Sequence, residues 1–185
     1  MKHAIVNTAH GVELLLKERL RMVDPAQVLT RPKDFPSDSA HTVKVDVAID
    51  RLQTLGGITF TSADRKAITD LCEARNAIMH RELRIEVNVA KVIIGEGLGF
   101  LFCFARAELG IDLAKDFQAD DTWQCLVEEL NQFTESYRKK LAAIMRTRGD
   151  DPVECSICGE EMVPWHGGSC EFCGHWHDFD FGAND

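Results

Sequence analysis

Residues 61–80 read TSADRKAITDLCEARNAIMH. Ala67, Ile68, Leu71, Ala74, Ile78 and Met79 recur at three- and four-residue steps, the period of one face of an α-helix. Thr61 and Asp64 stand at its start with the spacing of a capping box, in which each side chain accepts from the other residue's backbone N–H. The pattern predicts a helix from Thr61 to about His80 or Leu83. It decides the fold because its neighbours on both sides repeat the same period.

Upstream, Ile5, Val6, Ala9, Val12, Leu15, Leu16, Leu20 and Val23 place a helix over residues 3–23, with Glu13 and Lys17 as an i,i+4 pair on its polar side. Pro25, Pro32 and Pro36 punctuate a polar loop. Residues 42–55 carry two signals. Val43, Val45 and Val47 alternate like a strand, while Ala48, Leu52 and Leu55 repeat like a helix. Helix is the better reading, because no other strand exists to pair with it and the pattern runs on to Gly56-Gly57. Downstream, a helix is expected over residues 86–109. Its Gly95, Gly97 and Gly99 look like a nucleotide loop, but no strand precedes them and no basic residue follows, so they read as close helix packing. Asp120 and Asp121 are placed to cap a last long helix reaching Arg148. Trp123, Leu126, Val127, Leu130, Phe133, Tyr137, Leu141 and Ile144 line one of its faces, and Arg138, Lys139, Lys140, Arg146 and Arg148 crowd its second half, where the helix dipole favours cations. The expected fold is all-α: an up-and-down bundle of about five helices over residues 1–148, followed by a small module over 149–185.

With 45% hydrophobic and 28% charged residues, the chain has the balance of a soluble globular protein, and the composition excludes wholesale disorder. The longest apolar run, near Leu98 to Ala105, is far shorter than the roughly 20 residues a bilayer requires. Lys2 is followed by no long apolar segment of a secretory signal, so a cytoplasmic protein with no membrane partner is expected. Charge is distributed unevenly. Residues 1–150 net -1, whereas 151–185 hold eight acids and no Lys or Arg, supplying the other -8. Such a tail repels a phosphate backbone.

Of seven cysteines, Cys72, Cys103 and Cys125 are scattered among apolar neighbours and read as core. The others form two C-x2-C pairs, Cys155/Cys158 and Cys170/Cys173, eleven residues apart, with Gly159 and Gly174 directly after each pair. A two-residue spacer lets both thiolates face one metal, and two such knuckles give the closed tetrahedral set of a structural zinc site. Iron in a rubredoxin-like site is the main competitor. A disulfide pair fits poorly with a cytoplasmic chain. Four cysteines leave no ligand position for His166, His175 or His177, which read as surface or packing residues. They leave none for water either, so the metal is expected to be structural, supplying the folding energy of the module rather than catalysis.

Arg75, Asn76 and His80 form the sequence Arg-Asn-Ala-Ile-Met-His. Asn76 and His80 share a helix face and Arg75 flanks them. A guanidinium stabilises charge on a phosphorane, and an imidazole moves protons near neutral pH, so the trio suits phosphoryl chemistry without a metal.

This stretch resembles the Arg-Asn-x-x-x-His form of the motif of the HEPN superfamily, and Gly11 to Lys17 on the first helix is also similar to HEPN proteins. The resemblance covers about residues 1–148; the ribbon is an addition. It implies a metal-independent endoribonuclease, acting as a toxin or phage-defence effector, in which two copies of the motif meet across a homodimer. On that resemblance Arg75 would bind the scissile phosphate, Asn76 would orient it, and His80 would activate a ribose 2′-OH or protonate the leaving oxygen. The products would be 2′,3′-cyclic phosphate and 5′-OH ends. Arg81 and Arg84 would be backbone contacts or simply a solvated edge. Some HEPN toxins carry a tyrosine two positions after the histidine, where an antitoxin adenylylates it; here that residue is Glu82, and the sole tyrosine is Tyr137. The alternative is a non-enzymatic module that recognises a protein or nucleotide partner, with the acidic ribbon contacting an antitoxin or another protein, or folding over a basic groove.

Overall fold

The computed structural model describes residues 1–37, 39–80, 85–117 and 122–178. The helices expected near residues 3–23, 42–55, 61–80 and 86–109 are present as α1 (Lys2–Val23), α2 (Val45–Gly56), α3 (Ser62–His80) and α4 (Val87–Phe104), the last running into one π-helical turn, Ala105–Leu109. α5 (Leu113–Phe117), α6 (Thr122–Glu129) and α7 (Asn131–Arg148) complete the helical part. Four short strands follow: β1 (Pro152–Glu154), β2 (Glu161–Pro164), β3 (Gly168–Ser169) and β4 (Trp176–His177).

Local signals account for the boundaries. At the start of α3 the Thr61 hydroxyl accepts from the Asp64 N–H at 3.1 Å while Asp64 Oδ2 accepts from the Thr61 N–H at 3.0 Å, a complete capping box. α2 stops at Gly57, whose φ of 67° is left-handed backbone that glycine enters without steric cost. The proline-rich connection after α1 holds two 3-10 turns, Pro25–Val28 and Pro32–Asp34. Arg51 of α2 ties it down, donating to the Leu29 carbonyl at 2.7 Å and the Thr30 carbonyl at 3.2 Å.

α4 is the central helix, flanked by α1 and α3 on one side and α7 on the other. Its three glycines make that possible. A methyl group at Gly95 would sit 2.7 Å from the Phe133 nitrogen, and one at Gly99 2.6 Å from Ser136 Oγ, both on α7. One at Gly97 would meet Leu71 of α3 at 3.0 Å. The glycines therefore serve close helix packing, as their sequence context indicates. Val87–Leu109 is, by length and composition alone, long and apolar enough to cross a bilayer, contrary to the expectation drawn from the uninterrupted apolar run. Lys91 and Glu96 lie before that run, within the wider stretch, without offsetting the apolar residues around them. In the fold, half of this stretch is buried among the other helices.

The expected last helix is two helices rather than one, with α5 in addition, so seven α-helices lie among the described residues instead of five. The break falls at Leu130, whose carbonyl accepts from the Phe133 N–H at 2.8 Å and caps α7. Its physical reason is an aromatic cluster. Trp123 lies 5.8 Å from Phe133 and 6.2 Å from Tyr137, ring centre to ring centre. A straight helix would separate Trp123 from Phe133 by about 15 Å along its axis, so only a bend brings the rings together. Asp120 and Asp121, read as caps, lie outside the described residues. Of the three cysteines read as core, Cys103 is buried and Cys72 half-buried, but Cys125 is exposed on α6.

Candidate functional site

Two clusters of chemistry-bearing side chains stand out. The first lies at the end of α3. Arg75, Asn76 and His80 line one cleft of about 800 Å³ together with Glu13 and Lys17 of α1 and Lys44 and Asp46 at the start of α2. Arg75 is half-buried, while Asn76 and His80 are exposed. Arg75 Nη1 donates to Glu13 Oε2 at 3.0 Å, and its Nε and Nη2 both donate to Asn76 Oδ1, at 3.3 and 3.2 Å. Lys17 Nζ donates to Glu13 Oε1 at 2.6 Å and to Thr42 Oγ1 at 2.9 Å. His80, in the last turn of α3, lines the same cleft but makes no hydrogen bond to Arg75 or Asn76 among the described residues. Partial burial works to raise the Glu13 carboxyl, but Lys17 and then Arg75 outweigh it and hold the group below the ordinary carboxylate range. Glu13 was legible only as a helix-surface partner of Lys17. Its reach to Arg75 spans 62 positions, and no local pattern signals it. Arg81, Glu82 and Arg84 lie outside the described residues.

The second cluster is the four cysteines. β1 pairs antiparallel with β2 and β3 with β4, and each hairpin carries one knuckle. The two knuckles repeat one backbone design. The Gly159 N–H donates to the Cys155 carbonyl at 2.9 Å, and the Gly174 N–H to the Cys170 carbonyl at 2.8 Å. Gly159 and Gly174 have φ of 71° and 74°, so the turn needs glycine at both places. All four sulfur atoms lie within 4.8 Å of one another, an arrangement able to hold one metal ion. The sulfur of Cys155 is 3.6 Å from that of Cys173, and Cys158 is 3.8 Å from Cys170. Burial pushes the Cys158 and Cys170 thiols up, Cys170 to about 12. Burial opposes ionisation of Cys155 as well, but the backbone N–H groups of Cys158 and Ile157, with His177, draw it down to about 6. The protein's own groups thus favour the thiolate at Cys155 and oppose it at Cys158 and Cys170, where a cation held among the sulfurs would stabilise it.

His166 and His175 are exposed, as a surface role requires. His177 is half-buried and packs against the cluster, its Nε2 3.2 Å from Cys155 Sγ.

Sequence reasoning also missed how the ribbon is seated. Glu171 and Phe172 are the two residues between Cys170 and Cys173. Phe172 is 3% exposed, its ring 5.6 Å from Trp123 and 6.0 Å from Tyr137. Glu171 pairs with Arg106 of the π turn and, at 3.2 Å, with Arg148 of α7. Arg138 pairs with Glu160 at 3.3 Å. Part of the tail's negative charge therefore faces cations of its own bundle, including two that the helix dipole alone had seemed to explain. The net charge of the segment was a signal that cations lay nearby, but not which ones. No family model, no curated protein and no solved structure matches this chain, so its functional reading rests on these two clusters.

Proposed function

We propose that this chain is a metal-independent endoribonuclease of the HEPN type, a toxin or defence effector of the cytoplasm that carries a structural zinc ribbon. The supporting observation is that Arg75, Asn76 and His80 open into one cleft with Lys17. In this reading the ribose 2′-oxygen attacks the adjacent phosphorus as His80, or its counterpart from a second copy, removes the hydroxyl proton. Arg75 stabilises the charge that collects on the equatorial oxygens. The bond from phosphorus to the 5′-oxygen breaks, that oxygen takes a proton, and a 2′,3′-cyclic phosphate remains. Asn76 orients the phosphate. A homodimer would place two such motifs against one RNA strand.

Zinc is the metal favoured for the ribbon. A tetrahedron with metal–sulfur distances of about 2.3 Å has sulfur–sulfur edges of about 3.8 Å. The two closest sulfur pairs stand at 3.6 and 3.8 Å. Cys155, Cys158, Cys170 and Cys173 would hold the ion, which supplies folding energy and no reaction step.

The test is cleavage of total bacterial RNA in EDTA by the wild type and by His80→Ala. Cleavage that the variant loses supports the nuclease, with 2′,3′-cyclic phosphate ends as its signature. No cleavage, or equal cleavage by both, overturns it. One observation favours the second reading, a non-enzymatic binding module: Glu13, Asp46, Asp50 and Glu73 line the same cleft and offset its cations. Failure of the nuclease test transfers the cleft to that reading, with an antitoxin or another protein as the partner of the ribbon.

A further inference from the structure

Glu13 lies among the cations of the cleft and has no part in the chemistry above. Each oxygen of its carboxylate takes one cation: Oε1 takes Lys17 at 2.6 Å and Oε2 takes Arg75 at 3.0 Å. The guanidinium is therefore gripped by Nη1. The edge formed by Nε and Nη2 is one on which a guanidinium can receive two phosphate oxygens side by side. In this protein both N–H groups of that edge converge on a single acceptor, Asn76 Oδ1, at 3.3 and 3.2 Å. That acceptor is neutral, shared and exposed. Two phosphate oxygens would replace it with two charge-assisted bonds while Glu13 keeps its hold on Nη1.

Charge points the same way. Arg75 and Lys17 against Glu13 leave one net positive charge. The other charged residues of the cleft, the two cations Lys44 and Arg65 against the three acids Asp46, Asp50 and Glu73, bring the cleft as a whole to neutrality, so the positive charge is local to Arg75 and Lys17. An internal phosphodiester carries one negative charge, whereas a terminal phosphate carries about -1.5 to -2 at pH 7.

The geometry points to Glu13 as the positioning residue of this cleft: it holds the Arg75 guanidinium with its two-pronged edge toward the substrate and trims the local charge of Arg75 and Lys17 to a single positive unit, selecting an internal phosphodiester over a terminal phosphate. This rests on the cleft being the RNA-cleaving site proposed above.

The test uses the full-length protein and two small ligands at pH 8. One is a 2′-O-methylated dinucleoside monophosphate, which has one charge and resists cleavage. The other is a nucleoside 3′-monophosphate, a dianion. Binding is followed by the NMR signal of the Arg75 Nε–H, identified by its loss in Arg75→Lys. Glu13→Gln keeps the shape and removes the charge. It should shift preference toward the dianion by about ten-fold, within the range expected of a unit charge about 8 Å away, across the guanidinium. It should also lower kcat on RNA with KM nearly unchanged. Glu13→Asp keeps the charge but withdraws it by one methylene, so it should keep the wild-type preference and lose kcat.

Unchanged preference in Glu13→Gln overturns the inference, whether or not RNA is cleaved. Shifted preference without cleavage by the wild type overturns the nuclease reading and leaves anion selection by Glu13 standing. Circular dichroism of each variant verifies the fold.

Discussion

Phe172→Ala probes the seat of the ribbon most directly. The ring is 3% exposed and packs edge-on at 65° against Trp123 of α6 and, tilted at 40°, against Tyr137 of α7. Truncating a buried phenylalanine costs about 3–5 kcal/mol, because transfer energy is lost and a cavity remains. In a chain of this size each kcal/mol lowers Tm by about 2–4 °C, so the melting midpoint should fall by about 10 °C. The loss should also be delocalised. Phe172 sits between Cys170 and Cys173 and touches two helices, so hydrogen exchange should accelerate in α6 and α7 as well as in the ribbon. Phe172→Leu, which keeps most of the apolar volume, should move Tm by less than half as much. A midpoint lowered by less than about 2 °C, or faster exchange confined to residues 149–178, would refute the claim that the knuckle anchors the bundle.

Three further expectations concern the metal, the acid response and the cleft. Removing metal with a thiol-competing chelator at neutral pH should release protection in the ribbon first and in α6 and α7 next, leaving α1 to α3 protected; metal readdition should restore it, and uniform or absent change would contradict the coupling. Burial works to raise the Asp64 carboxyl, but Lys140 and Thr61 outweigh it and hold the group below its ordinary value of 3.8. A carboxyl lowered by folding stabilises the protein above the unfolded value, and that stability is lost as pH falls through the folded one. Denaturant titrations between pH 5 and 2 should therefore show a steeper acid loss for the wild type than for Asp64→Asn, and parallel curves would remove Asp64 from the acid response. In the nuclease test, His80→Ala should keep the wild-type Tm, since His80 is exposed, so that lost cleavage reports chemistry rather than folding.

What was readable from sequence was whatever is encoded within a few residues. Ala67 to Met79 repeat at helical period, Thr61 and Asp64 cap, and Cys155 to Cys173 carry their spacing openly. The glycines of α4 were readable because an alternating small residue in an apolar helix has few other uses. The break at Leu130 was not, since no glycine or proline marks it. It is imposed by Trp123, Phe133 and Tyr137 gathering with Phe102 into one cluster, a tertiary demand that overrides a continuous helical pattern. The link from Glu13 to Arg75 escaped notice for the same reason: the two lie on different helices. The acidity of the tail was plain, but the guanidinium groups of Arg106, Arg138 and Arg148 that receive it are set only by the fold.

The glycines of α4 also fix a spacing that matters beyond the core. Gly95 and Gly99 let α7 lie against α4 almost backbone to backbone. The same α7 presents Tyr137, Arg138 and Arg148 to the ribbon, and Phe133 braces Tyr137 at 5.5 Å. The position of the cysteine cluster is thus gauged from the centre of the bundle. A single methyl group added at Gly95 works as a wedge: α7 rides outward, its grip on Phe172 and Glu171 shifts with it, and a change made in the interior is delivered to the metal-binding end of the molecule.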